Sequence, residues 1–300
     1  MLTGSMVALV TPMTASGAVN FGELRRLFDW HIAEGTEALV IAGTTGESAT
    51  LTHDEHLDLL ERSCELAAGR IPIIAGTGSN STRQTLELST EASRLAIAGL
   101  LIVTPYYNKP TQDGLVRHYS VIADAVDKPI LLYNVPGRTA VDLKPATVIR
   151  LSKHARIAGI KEATADLSRV SVLRQGCGEE FVLLSGDDAS SREFMLAGGD
   201  GVISVTGNLV PAAMRALCDA ARAGKRAEAE AIDSDLADLH RDLFIESNPI
   251  PVKWALHDMG LIGRGIRLPL TELAESCRPV VRAAMLKAGI APAQARGGTG

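Results

Sequence analysis

Eight short apolar runs recur along the first two-thirds of the chain. Each leads into a polar or glycine-rich tip and then into a segment of helical spacing. The runs are MVALVTP (6–12), ALVIAGTTG (38–46), IPIIAGTG (71–78), LLIVTPYYN (100–108), PILLYNVP (129–136), IAGIKEA (157–163), FVLLSGDD (181–188) and GVISVTGN (201–208). Within them apolar residues follow one another instead of alternating. A strand with one wet face alternates, whereas a parallel strand buried on both faces does not.

The intervening segments read as helices. In LTHDEHLDLLERSCELAAG, Thr52 and Glu55 form the T-x-x-E pattern of a capping box, and Leu57, Leu60 and Cys64 are expected on one buried face. Eight strand–helix units over roughly 200 residues predict an α/β chain, a closed (β/α)8 barrel of the TIM type. An open doubly wound sheet would carry a glycine fingerprint at its first turn, where this chain has TPMTASG. Beyond residue 208 the strand signals stop and helical spacing continues. The expected organisation is a barrel over 1–224, a C-terminal helical domain over 225–292 and a disordered tail over 293–300.

Composition narrows the function. With 46% hydrophobic and 22% charged residues, the 300-residue chain has ample apolar material for a core. The net charge of −5 comes without an arginine-rich arm, which argues against nucleic acid and anionic membranes as partners. Cys64, Cys177, Cys218 and Cys277 form no C-x-x-C pair and read as structural thiols in a reducing compartment. The N-terminus has no basic leader with an apolar core, and no segment is long enough to span a bilayer. A cytoplasmic protein is expected.

In such a barrel, chemistry sits at the C-terminal ends of the strands. Thr44 and Thr45 fall at the second tip, Tyr106 and Tyr107 at the fourth, Tyr133 at the fifth, and Lys161 lies within the sixth run. Three of the four tyrosines thus sit at strand tips, although a buried tyrosine hydroxyl often merely finds a partner. Lys161 is the sharpest signal. A lysine in an apolar strand is either ion-paired, with Glu162 or Asp187 as candidates, or kept as a neutral amine that attacks a ketone to form a Schiff base. Glu162, next in sequence, should point to the opposite face. GTTGES (43–48) lacks the lysine of a P-loop, but its backbone N–H groups could cradle a carboxylate or phosphate. His53 and His56 lack a third ligand and do not match a zinc helix. Arg138, just past the fifth tip, is either a solvated loop charge or a carboxylate clamp.

GTTGES, YNVPGRT and GIKEAT, in this order and spacing, make the chain resemble the pyruvate-dependent class I aldolase family of dihydrodipicolinate synthase and N-acetylneuraminate lyase. TPYYNKPTQDGL, LLSGDDAS, GVISVTGN and NPIPVKWAL extend the resemblance from about residue 3 to 290. It implies an imine between Lys161 and pyruvate, with no metal and no other cofactor. It further implies that Thr45 and adjacent N–H groups hold the pyruvate carboxylate, and that Gly186 and Ile203 contact substrate. Tyr133 would move protons, relayed through Thr44 to a Tyr107 that reaches in from a neighbouring subunit of a homotetramer. Arg138 would bind the carboxylate of L-aspartate 4-semialdehyde, the second substrate of the synthase branch, on the diaminopimelate route to lysine. Lyases and aldolases acting on sugar-derived acids generally lack that arginine, so Arg138 favours the synthase branch over them. A non-catalytic amino-acid-binding barrel is the remaining alternative, which an intact Lys161, Tyr133, Thr44 and Tyr107 disfavour. The resemblance also implies an allosteric site for L-lysine at Ser48, Ala49, His53, His56, Asn80, Gln84 and Tyr106. Lysine-sensitive relatives often carry glutamate where this chain has Gln84, so inhibition weaker than theirs is expected.

Overall fold

The computed structural model describes residues 2–292; the tail expected at 293–300 lies outside the described residues. Its eight strands are β1 (Gly4–Ala8), β2 (Ala38–Ile41), β3 (Ile73–Gly76), β4 (Gly99–Val103), β5 (Ile130–Asn134), β6 (Ile157–Glu162), β7 (Val182–Ser185) and β8 (Gly201–Ser204). All pair in parallel in sequence order, and β8 closes the barrel on β1, with Met6 beside Ile203. Each strand is shorter than the apolar run that announced it, because the run's last residues leave the strand ladder to build the tip.

Closure explains the continuous apolar runs. Alternate strand residues form an inner cluster that includes Met6, Val40, Leu131 and Leu184. The residues between them, such as Val7, Leu39, Leu132 and Leu183, join an outer cluster under the helices. Neither face meets water, so neither requires polar residues.

Helices alternate with the strands: α1 (Phe21–Ala33), α2 (His53–Ala67), α3 (Thr82–Ala92), α4 (Gln112–Ala125), the single turn α5 (Pro136–Thr139), α6 (Pro145–Leu151), α7 (Ser168–Cys177), α8 (Asp188–Leu196) and α9 (Pro211–Arg222). The Thr52–Glu55 capping box opens α2 as expected. Its buried face differs from the expected one: His56, Leu59, Leu60, Ser63, Leu66 and Ala67 are inside, whereas Leu57 and Cys64 are only partly buried. The stripe is rotated because His56 turns inward, its Nε2 2.8 Å from the carbonyl of Gly76. A stripe read from hydrophobicity passes over a histidine that has a buried acceptor.

Three further helices follow, α10 (Arg226–Asp242), α11 (Ile250–Asp258) and α12 (Arg278–Lys287). The boundary expected at residue 225 falls in the turn between α9 and α10. These helices share the barrel's outer core through Leu239, Val252, Leu256 and Val281. The link from α10 to α11 runs back over the strand tips and brings Phe244 and Asn248 to the barrel mouth.

Candidate active site

Strand alternation decides where Lys161 points. On β6, Ile157 and Ile160 belong to the outer cluster, so Lys161 faces inward, in register with Tyr133 on β5 and Leu184 on β7. Its Nζ lies 4.4 Å from the centroid of the Tyr133 ring. Lys161 is 5% exposed and makes no ion pair with any described residue. Both carboxylates considered as partners are occupied elsewhere. Glu162 accepts from Asn134 Nδ2 and from the Thr164 N–H, and lies 3.4 Å from Arg169. Burial pushes its carboxyl above the ordinary value against the pull of those partners. Asp187 caps α8, accepting from the N–H and hydroxyl of Ser190.

The aliphatic stem of Lys161 lies against the β7 tip. A Cβ placed on Gly186 would come within 3.0 Å of Lys161 Cγ and Cε and within 2.7 Å of Ala163 Cβ. Any side chain there would displace the lysine, so glycine at this position keeps the amine in place.

The β2 tip folds into a tight turn. The N–H groups of Gly46 and Ser48 donate to the carbonyl of Gly43, and that of Glu47 donates to the carbonyl of Thr44. The N–H groups of Thr44 and Thr45 have no backbone acceptor among the described residues. Two adjacent free donors at a turn form the concavity that suits a carboxylate. Ala42 and Glu47 flank this turn in left-handed conformation, at φ 53° and 57°. Glu47 is held there: one carboxylate oxygen pairs with Lys253 on α11, and the other accepts from the Arg267 N–H at 3.0 Å.

Arg138, on α5, reaches the same space, and its Nη2 donates to the carbonyl of Asn248 at 3.3 Å. Asn248 in turn donates from Nδ2 to the Thr45 hydroxyl at 2.9 Å. The result is a cavity of about 120 Å³ at the strand tips, lined by Thr44, Thr45, Tyr133, Arg138, Lys161 and Gly186 among others. That is room for a few waters or one small molecule. An unpaired amine at the bottom, two free N–H donors on one wall and a guanidinium at the mouth suit a ketone carbonyl flanked by carboxylates.

Six of the expected site residues therefore meet in one cavity. Ile203 does not line it: its side chain is buried in the inner cluster. Tyr107 does not line it either; it is 85% exposed and held at φ 74°. The seven residues of the expected lysine site lie on the loops and helix starts after β2, β3 and β4, outside this cavity. There Gln84 Oε1 accepts from the Ser79 hydroxyl at 3.0 Å, and the Asn80 carbonyl accepts from Asn108. Sequence reasoning missed Asn248 and Phe244 as cavity residues, and Glu47 with Lys253 as their support. The available signal was the polar pair Asn248 and Lys253 interrupting an otherwise apolar NPIPVKWAL.

Comparison with known proteins agrees with this fold. A family model described as the dihydrodipicolinate synthetase family matches residues 1–288. A 4-hydroxy-tetrahydrodipicolinate synthase of Methylococcus capsulatus is 58% identical over 290 residues, covering 97% of this chain and 100% of the relative. One from Shewanella sp. (strain ANA-3) is 55% identical over 291 residues, covering 97% and 99%. Among solved structures, a chloride-inhibited dihydrodipicolinate synthase of Acinetobacter baumannii complexed with pyruvate superposes with a TM-score of 0.95 at 50% identity, over 97% of this chain and all of that one. A Cyanidioschyzon merolae synthase with lysine bound superposes at 0.93 and 37% identity, over 96% and 99%.

Proposed function

The chain belongs to the dihydrodipicolinate synthetase family, and on that premise we propose that its cavity condenses pyruvate with L-aspartate 4-semialdehyde through an imine on Lys161. Its activity is 4-hydroxy-tetrahydrodipicolinate synthesis, a lyase-class reaction of the diaminopimelate route to lysine. The observation that carries the residue assignment is the buried Lys161 amine between Tyr133 and Gly186, without an ion pair among the described residues and in one cavity with Thr44, Thr45 and Arg138.

The Lys161 amine adds to the C2 ketone of pyruvate, and the carbinolamine loses water to give the imine. The protonated imine draws electrons from C3, which loses a proton and becomes an enamine carbon nucleophile. That carbon attacks the aldehyde of the semialdehyde, forming the new C–C bond and a hydroxyl. The semialdehyde's own amine then attacks the imine carbon, closing the ring and releasing Lys161. Thr45 and the free N–H groups at the β2 tip hold the pyruvate carboxylate, and Arg138 holds that of the semialdehyde. Gly186 leaves the space in which the imine forms, and Ile203 supports the cavity from the inner core.

Tyr133, beside the amine and 7% exposed, moves protons in the imine and ring-closing steps. The relay continues through Thr44 to Tyr107 of the partner subunit, which accounts for a tyrosine so exposed in the single chain. The assembly is a homotetramer built from such pairs. L-lysine acts as feedback inhibitor at Ser48, Ala49, His53, His56, Asn80, Gln84 and Tyr106. Its support is a relative with lysine bound, together with the clustering of these residues on adjacent loops. The enzyme works in the cytoplasm.

The assay couples pyruvate and L-aspartate 4-semialdehyde to product formation, with sialic acid and keto-deoxy sugar acids as competing substrates for cleavage. Turnover with the semialdehyde and a single borohydride-trapped pyruvate adduct on Lys161 are expected. Preferential cleavage of a sugar acid would move the chain to the lyase branch. Absence of any adduct would leave a binding protein.

A further inference from the structure

Asn248 belongs to the link between α10 and α11, outside the barrel, yet it touches both carboxylate-binding positions of the proposed site. Its side chain meets Thr45 and its main-chain carbonyl meets Arg138. It is 5% exposed, and the segment carrying it is anchored five residues later by the buried Lys253–Glu47 pair.

The chemistry of a hydroxyl makes the Thr45 contact directional. A threonine hydroxyl has one proton to donate and lone pairs to accept with. The Asn248 Nδ2 group can only donate, so its bond occupies a lone pair of Thr45 Oγ1 and leaves the proton free. No other side-chain or backbone partner of Thr45 Oγ1 occurs among the described residues. Thr45 is itself 2% exposed and lines the cavity, so the proton has the cavity to point into.

We propose that Asn248 is a positioning residue that turns the Thr45 hydroxyl into a committed donor for a substrate carboxylate, while its carbonyl steadies Arg138. This inference rests on the reading of the cavity as a keto-acid site. A carboxylate arriving at Thr45 meets three donors aligned with it, the two free N–H groups and the hydroxyl, and needs no reorientation on binding. An unguided hydroxyl would spend part of its time donating to water instead. Selectivity for a 2-keto acid over an uncharged ketone then depends on a residue of the α10–α11 link, outside the barrel.

Neutron diffraction from a deuterated crystal tests the orientation without any substrate. The Thr45 deuteron is expected on the cavity side, with an Asn248 deuteron directed at Thr45 Oγ1. A Thr45 deuteron lying on Asn248 Oδ1 would overturn the proposal. Kinetics test its consequence. Asn248→Asp is isosteric but accepts where asparagine donates, which reverses the Thr45 hydroxyl. It is expected to raise the KM for pyruvate about ten- to a hundredfold, well beyond Asn248→Ala, with a much smaller change in kcat. In a Thr45→Val background, Asn248→Ala is expected to add little to that KM, because its route of action is gone. Equal KM values for the Asp and Ala variants, or full additivity with Thr45→Val, would show a merely structural residue. Borohydride trapping of wild type in the same series separates the two readings. Failure to trap pyruvate there would count against the keto-acid site, while the neutron result still decides the orientation.

Discussion

Lys253 and Lys161 are buried to the same extent, each 5% exposed, but Lys253 is ion-paired with Glu47 whereas Lys161 is paired with no carboxylate among the described residues. A lysine taken out of water must be compensated or used, and this chain contains one of each kind. For Lys253, burial lowers the ammonium's proton affinity, and Glu47 pulls it back. The pair clamps the β2 tip to α11, and so holds the C-terminal helices against the site.

Breaking that pair from one side is expected to destabilise the fold. Lys253→Met leaves Glu47 buried beside only the Arg267 N–H and should cost about 3–5 kcal/mol. Urea denaturation measures this as a drop in the transition midpoint. The double variant Glu47→Leu/Lys253→Met should recover much of the loss, because no charge remains unpaired. A double variant as unstable as the single would refute the ion-pair account.

Tyr133→Phe removes the phenol beside Lys161 but keeps the ring that packs in the inner cluster. Folding should be unchanged by circular dichroism, and turnover should fall by about 10²–10⁴-fold. Near-full activity would remove Tyr133 from the proton-transfer role.

Acid should weaken the fold through its buried histidines. Burial lowers His31 from its ordinary 6.5 to about 3, and His56 and His118 to about 4. The unfolded chain binds protons at these groups below pH 6.5, and the folded chain does not until those lower values are reached. Their contribution is therefore complete above pH 6.5 and is lost as pH falls toward 4, with a slope of about 1.4 kcal/mol per pH unit for each. His31→Gln, whose amide can still meet the Thr36 hydroxyl that now lies 2.9 Å from Nδ1, should flatten the pH dependence by one such slope. Denaturant unfolding between pH 6.5 and 4 would reveal it, and an unchanged slope would contradict it.

Gln84→Glu is expected to strengthen inhibition by L-lysine. The carboxylate adds a charge-assisted bond to an ammonium where the amide offers a neutral one, a difference of about 1 kcal/mol or near tenfold in inhibition constant. Inhibition assays at varied lysine measure it. Equal constants for both proteins, or no inhibition of either at millimolar lysine, would place the regulatory site elsewhere or nowhere.

The barrel was legible because its determinants are local. Eight continuous apolar runs, each ended by a polar tip, follow from strands buried on both faces, and that periodicity survives in the linear chain. Lys161, Tyr133, Thr44, Thr45 and Arg138 were legible for a related reason: strand tips converge in a closed barrel, so polar residues at tips become neighbours. The rotated face of α2 was not legible, since His56 turns inward only because the Gly76 carbonyl waits there. Nor was the burial of Ile203 in the inner cluster, which depends on the neighbours that barrel closure gives it.

By itself, then, the sequence determined the number and order of the strands, the inward lysine and the opposite orientation of Glu162, because each depends on residues a few positions apart. Tertiary structure alone decided which lysine is paired and which is free. Glu47 and Lys253 stand 206 residues apart, and Thr45 and Asn248 stand 203 apart. Such contacts arise only when the C-terminal helices fold back over the strand tips, where burial makes each donor and each charge find a partner or remain available for chemistry.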